Sequence, residues 1–345
     1  MKPATVGPPL TLTEKLAAAL AARSSRQILR KLPDASAIEQ NQSLIDFTSN
    51  DYLSFTTLPI LRELFINKLS SSSQILGSGG SRLLVHTPAH TALESRLAGF
   101  FGVQAALLFN SGFDANSGFF ACVPQDGDVL VYDEYIHASV HDGMRSSRLS
   151  SSKSRTQLLF PFAHNSVLEL RTILLHLSSR QALKEGHSSL FISVESLYSM
   201  DGTFAPLVDI VQVMEEFFPL GNAYLIVDEA HATGLYGPQG RGRVAQLGLE
   251  SKVFMRLCTF GKGLGGTGGL YLISSWKDTA YSNLHVIAVV LTNALVRDYL
   301  VNYARPLIYT TSLSYTNVIA VDCAFNLLED GTAESVRSIV LFPLV

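Results

Sequence analysis

Cysteine is scarce: three in 345 residues, far apart and with no C-x-x-C spacing. That argues against a disulfide scaffold and against a thiolate metal site. Cys122, Cys258 and Cys323 read instead as small apolar residues of a reducing compartment. A charge imbalance is missing too. With 26 Lys and Arg against 29 Asp and Glu, the net charge is −3, which gives no electrostatic case for nucleic acid or an acidic membrane as partner. No apolar run reaches the roughly 20 residues of a membrane helix; the most apolar, His285–Leu295, stops short. The opening residues carry no apolar targeting core, so the cytoplasm is the expected compartment, with peroxisome and mitochondrion open. No internal repeat is visible.

What is present is an alternation of elements. Thr13–Leu32 repeats leucines at helical spacing, with Thr11 or Thr13 as cap and Pro33 as stop. Leu44–Phe47 is a short strand candidate, and a glycine-rich loop (GSGGSR) leads into a helix containing Leu93, Leu97 and Phe100. From Ala105 short apolar runs recur between helical stretches: 105–109, 128–133, 189–195, 223–229, 253–260 and 269–275. Such near-continuous apolar runs suit parallel strands covered on both faces, so the pattern predicts a doubly wound α/β domain with its ligand at the carboxyl ends of the strands. The serine-rich stretch 146–154 reads as a solvated loop.

Four of those strand ends carry polar groups that need a reason. Asp228 ends the run AYLIV, and a buried acid there is unfavourable unless paired. A cationic ring nitrogen would pair with it; an ion pair or a helix cap is the alternative. Lys262 stands among Gly261, Gly263, Gly265 and Gly266. Glycines admit a planar ligand, and desolvation would lower the ammonium pKa as a Schiff-base lysine requires. A surface lysine is the plain alternative, and a phosphate loop fails because no Ser or Thr follows the G-K pair. Asn110-Ser111-Gly112-Phe113 opens a helix whose free N–H groups would bind an anion. His137, after DVLVYD, would lie flat on an aromatic ring or be an ordinary loop histidine. Ser199, in the run SMDG, is weak when read singly.

Taken in order, NDYLSF, GSGGSR, FNSGFDAN, YDEYIHASVHDGMR, SMDG, VDEAHATG, GRGR and TFGKGLGG resemble the α-oxoamine synthase family of pyridoxal 5'-phosphate (PLP) enzymes, from about residue 13 to 275 and again at 305–312. Within the family GSGGSR favours the oxononanoate-forming branch. The resemblance implies the PLP-dependent transferase fold of type I: a mostly parallel sheet with helices on both faces and a small C-terminal domain, here shortened. It implies that Lys262 bonds the cofactor, Asp228 pairs with the pyridine nitrogen, His231 meets the ring hydroxyl and His137 stacks on the ring. Ser199 and Thr259 would sit beside the cofactor, and Gly112 and Phe113 would offer N–H groups to its phosphate. Thr310 or Thr311 would reach the phosphate of a neighbouring subunit, making a homodimer. Arg30 and Asn50 would contact substrate. No metal is implied. The reaction would be a decarboxylative condensation of an amino acid (alanine) with an acyl-CoA or carrier-protein thioester (pimeloyl), as in biotin formation. The alternatives are another thioester, or a shortened paralogue without activity.

Two departures from the family pattern stand out. The run Tyr309-Thr310-Thr311-Ser312 lies farther beyond the lysine than in relatives, and the excess falls on the apolar segment 281–296, read as an insertion and a candidate retained intron. The chain also stops soon after the helix VIAVDCAFNLLED, before the arginine that grips a substrate carboxylate in the family, so weak catalysis is expected. The domain reading is 1–50 (N-terminal segment), 51–280 (cofactor domain), 281–296 (insertion) and 297–345 (start of an incomplete C-terminal domain).

Overall fold

The computed structural model describes residues 11–32, 46–149, 157–273 and 292–341. They divide into two units, Met1–Thr48 and Ser49–Val345. In the first, helix α1 (Leu12–Ser25) starts at a capping box, with Thr11 accepting from the Glu14 amide and Glu14 reaching back to Thr11. It is shorter than the predicted Thr13–Leu32. It stops when Gln27 enters the left-handed region (φ 57°), before Pro33 is reached. The Leu44–Phe47 strand candidate lies largely outside the described residues, as do 150–156 and most of the 281–296 segment.

The second unit is built on seven strands: β1 (Ala105–Phe109), β2 (Val129–Asp133), β3 (Leu159–Phe162), β4 (Leu190–Glu195), β5 (Ala223–Asp228), β6 (Met255–Thr259) and β7 (Gly269–Ile273). Their order is β1-β7-β6-β5-β4-β2-β3. The ladders from β6 to β3 are parallel, while β7 runs antiparallel to both β6 and β1. Six strands therefore end on one edge, and β7 begins there. The helices are α2 (Pro59–Ser71), α3 (Pro88–Phe101), α4 (Gly112–Cys122), α5 (Ala138–Arg145), α6 (Val167–Ser178), α7 (Leu207–Phe217), α8 (Thr292–Tyr303), α9 (Tyr315–Glu329) and α10 (Thr332–Leu341). Residues 292–296 thus belong to α8.

Period-two alternation decides which helix covers which face. Leu107, Leu130, Phe191, Ile226 and Leu257 pack with Phe119 and Phe120 of α4 and Val140 and Met144 of α5. Their strand neighbours Val131, Ile192, Leu225 and Val227 pack on the other side with Leu170 and Leu174 of α6 and Ile210 and Met214 of α7. Ala106, Leu108 and Cys258 meet Leu97 of α3 and Phe325 of α9 on that side. Full burial of each such side chain contributes roughly 1.5–3 kcal/mol, so both helical layers are held. Among the described residues no helix is long and apolar enough to cross a membrane.

Candidate active site

The strand ends and the loop that leads into β7 line a cavity of about 280 Å³. Lys262, Asp228, His231, His137, Thr259, Gly112 and Phe113 all line it, together with Asn110, Asn116, Glu195 and Gly268. The antiparallel β7 explains the last of these: its amino end, not its carboxyl end, meets the site.

Local sequence fixes each wall. Ser111 caps α4 by accepting from the Asp114 amide at 3.0 Å. Gly112 is required at the first helical position, because a Cβ there would stand 2.5 Å from Thr259 Cγ2. The early amides of α4 are thereby brought close under β6. One turn on, buried Asn116 donates to Asp228 Oδ2 at 2.9 Å and to Ser139 Oγ at 3.0 Å. Asp228 Oδ1 accepts from the Ala230 amide at 2.9 Å. His137 caps α5, its Nδ1 accepting from the Ser139 amide at 3.2 Å with Ser139 Oγ 2.7 Å away. A chain of hydrogen bonds runs Asp228–Asn116–Ser139–His137, buried as far as Ser139 and ending at the exposed His137.

The charged groups pull against burial. Desolvation lowers the Lys262 ammonium pKa, and Asp228 and Glu195 oppose that shift. Glu195 pairs with Asp228 across the β4–β5 ladder. Burial, and then the Asp228 charge, push the Glu195 carboxyl up to about 8. Burial and the positive charge of Lys262 push His231 down to about 4. The site thus presents a half-buried amine with a depressed pKa and two imidazoles, of which burial keeps His231 neutral, beside a buried carboxylate. That set of groups suits condensation with an aldehyde and proton transfer next to a cationic aromatic ring. The glycine-lined approach beneath Thr259 leaves room for a flat ligand, and the α4 amides suit an anionic substituent.

Other predicted site residues lie elsewhere. Ser199 is an exposed turn residue outside the cavity lining. Thr310 Oγ1 and the Thr311 carbonyl accept from Asn110 Nδ2 at 3.3 and 2.6 Å, which joins them to the rim without lining the cavity. Asn50 is exposed and accepts from the Tyr52 hydroxyl at 3.0 Å. Arg30 belongs to the first unit, beyond the end of α1. Sequence reasoning missed Asn116, Glu195 and Tyr52. Glu195 was findable, since it ends an apolar strand in the same way as Asp228. Asn116 stands one helical turn beyond Gly112, and nothing else in the sequence marks it.

A family model described as aminotransferase class I and II matches residues 42–337. The 8-amino-7-oxononanoate synthase of Emericella nidulans is 41% identical over 333 residues, 95% of this chain and 73% of that protein. The aminoacyl transferase sphA of Aspergillus fumigatus is 39% identical over 296 residues, 85% of this chain but 57% of that protein. A solved structure of serine palmitoyltransferase with PLP matches at TM-score 0.67 and 26% identity, covering 84% of this chain and 64% of that one. The chain therefore spans less than two thirds of the second relative and of the solved chain.

Proposed function

Because the chain belongs to the class I and II aminotransferase family, we propose that its cavity holds PLP and joins an amino acid to an acyl thioester with loss of CO2. The carrying observation is the half-buried Lys262 amine, its pKa depressed, sharing one cavity with buried Asp228 and the amino end of α4. When bound, PLP would supply an aldehyde for the amine and a ring that withdraws electrons from the substrate α-carbon.

The residues divide the remaining work. Lys262 Nζ would be the group that holds the cofactor aldehyde and, once free, the base for the substrate α-proton, and the downward shift of its pKa by burial suits both roles. Asp228, oriented by the hydrogen bonds it accepts from Asn116 and the Ala230 amide, would hold the ring N–H. His137, held by its contact with Ser139, would cover one face of the ring, and His231 would meet the ring oxygen. The Gly112 and Phe113 amides receive the phosphate, with Thr259 beside them. Thr310 and Thr311 reach toward the phosphate of a second copy. The exposed apolar residues Ile75, Leu76, Leu83 and Leu84 around GSGGSR support a homodimer that covers them.

Alanine and a pimeloyl thioester, giving an 8-amino-7-oxononanoate-type ketone, are the first substrate reading, supported by the 41% identity over 95% of the chain. The 39% identity to sphA supports a second, in which another thioester is used. Titrating the protein with PLP is expected to raise a cofactor absorbance band that borohydride fixes to the protein and that Lys262→Ala lacks. An unchanged band in that variant would refute the lysine's role. Turnover of alanine, glycine and serine against pimeloyl and long-chain thioesters separates the two substrate readings.

A further inference from the structure

Tyr52 lies outside the cavity lining, yet its hydroxyl stands 2.7 Å from His231 Nδ1 and donates to Asn50 Oδ1 at 3.0 Å. Its placement is fixed from several sides. Leu53 and Phe55 are buried in the α3–α9 core, and Asp51 Oδ1 accepts from the Phe55 amide at 2.9 Å. The Lys262 loop presses on the same turn: a Cβ on Gly263 would meet Tyr52 Cδ2 at 3.7 Å, and one on Gly265 the Thr56 amide at 3.1 Å. The exposed Asn50 amide, the Tyr52 hydroxyl and the imidazole that lines the cavity thus form a short fixed relay.

A hydroxyl has one hydrogen, and here it has two partners. Asn50 Oδ1 can only accept, so it takes that hydrogen. The 2.7 Å contact to His231 is then a hydrogen bond only if Nδ1 is the donor. Burial keeps the ring neutral around pH 7 by pushing its pKa down to about 4, so one ring nitrogen carries the sole hydrogen. Burial, with the nearby Tyr236, raises the Tyr52 pKa, so the phenol keeps its proton.

We propose that Tyr52 is a positioning residue: it holds His231 in the Nδ1–H tautomer, so that His231 meets a cavity ligand through an unprotonated Nε2. His231 then offers the cavity a lone pair at Nε2. A hydroxyl on the ligand can donate to that lone pair, whereas an oxyanion would be repelled by it. The site therefore favours the protonated form of a ring oxygen at His231. The inference takes from the cofactor reading only what fills the cavity; the tautomer belongs to the protein without ligand.

Nitrogen-15 NMR of histidine-labelled, cofactor-free protein around pH 7 tests the relay directly. The expected result is a protonated Nδ1 and an unprotonated Nε2 for His231, assigned by loss of its signals in His231→Gln. In Tyr52→Phe the two tautomers should mix. In Asn50→Ala, where the phenol loses its acceptor and turns its hydrogen to Nδ1, the tautomer should reverse. Asn50→Asp retains an acceptor and should keep the wild-type pattern, which guards against a general loss of structure. Wild-type His231 with its hydrogen on Nε2, or an Asn50→Ala spectrum identical to wild type, would overturn the relay whether or not PLP binds. In protein loaded with PLP, Tyr52→Phe should lower the pH at which the ring oxygen ionises, read from absorbance. An unshifted or raised midpoint overturns the favouring of the protonated oxygen.

Discussion

Asp228 and Glu229 are chain neighbours of the same charge, and they end up on opposite sides of the sheet in opposite situations. Asp228 shares the α4 side with Glu195; it borders the cavity, and both its oxygens accept hydrogen bonds. Glu229 turns to the sealed side, where its Oε1 accepts from the Val244 amide at 2.9 Å and its Oε2 lies 3.9 Å from Arg256 Nη1, both side chains fully buried. Gly242, at φ 98°, leaves just enough room, since a Cβ there would stand 2.5 Å from Glu229 Oε2. One acid faces space that a ligand can fill; the other faces an arginine with no other ion pair among the described residues. The contrast teaches that burial of an acid marks chemistry only where open volume lies beside it.

The sharpest way to break the pair apart is to truncate each acid. Glu229→Ala strands the buried Arg256 and should lower unfolding stability by about 3–5 kcal/mol, read by denaturant titration. Asp228→Ala should instead abolish PLP binding with a much smaller loss of stability, so equal effects of the two would erase the contrast. A milder test uses pH. Burial raises the Glu229 carboxyl from 4.5 to about 7 in the folded protein. The folded state thus holds the extra proton between those values, and the stability linked to it is full below pH 4.5 and is lost as pH rises through about 7. Glu229→Gln cannot titrate and should show a flatter decline between about pH 5 and 8. The smallest effect is expected outside the cavity: Ser199→Ala, in an exposed turn, should change stability by no more than ~0.5 kcal/mol and turnover less than twofold. A large loss there would move the working boundary of the site outward.

Much of the fold could be read because its strands are buried on both faces, and uninterrupted apolar runs announce them. The runs 105–109, 128–133, 189–195, 223–229 and 253–260 all contain strands, the last two ending one residue earlier, at Asp228 and Thr259. β3 escaped because Pro161 interrupts it and it pairs on one edge only. The reversed direction of β7 carries no local signal, because the residues of a buried strand look alike whichever way it runs. In the site, the glycine-set lysine and the DEAH run were visible because their residue types are unusual at strand ends. Asn116 and Tyr52 act through partners distant in the chain, at Asp228 and His231, and such pairings appear only once the sheet is assembled.

The reversal of β7 also bears on time. β6 and β7 are consecutive in the chain and antiparallel, paired from Thr259↔Gly269 to Met255↔Ile273, with the loop between them closed by the Phe260 amide on Gly268 O and the Gly266 amide on Phe260 O. Lys262 sits in that loop. A hairpin closes over a short span in microseconds, whereas each parallel pairing needs a long crossover and forms later. Lys262 is thus carried on the part of the sheet that can pair earliest, and Asp228 joins it in one cavity only when the β4–β5–β6 ladder is complete.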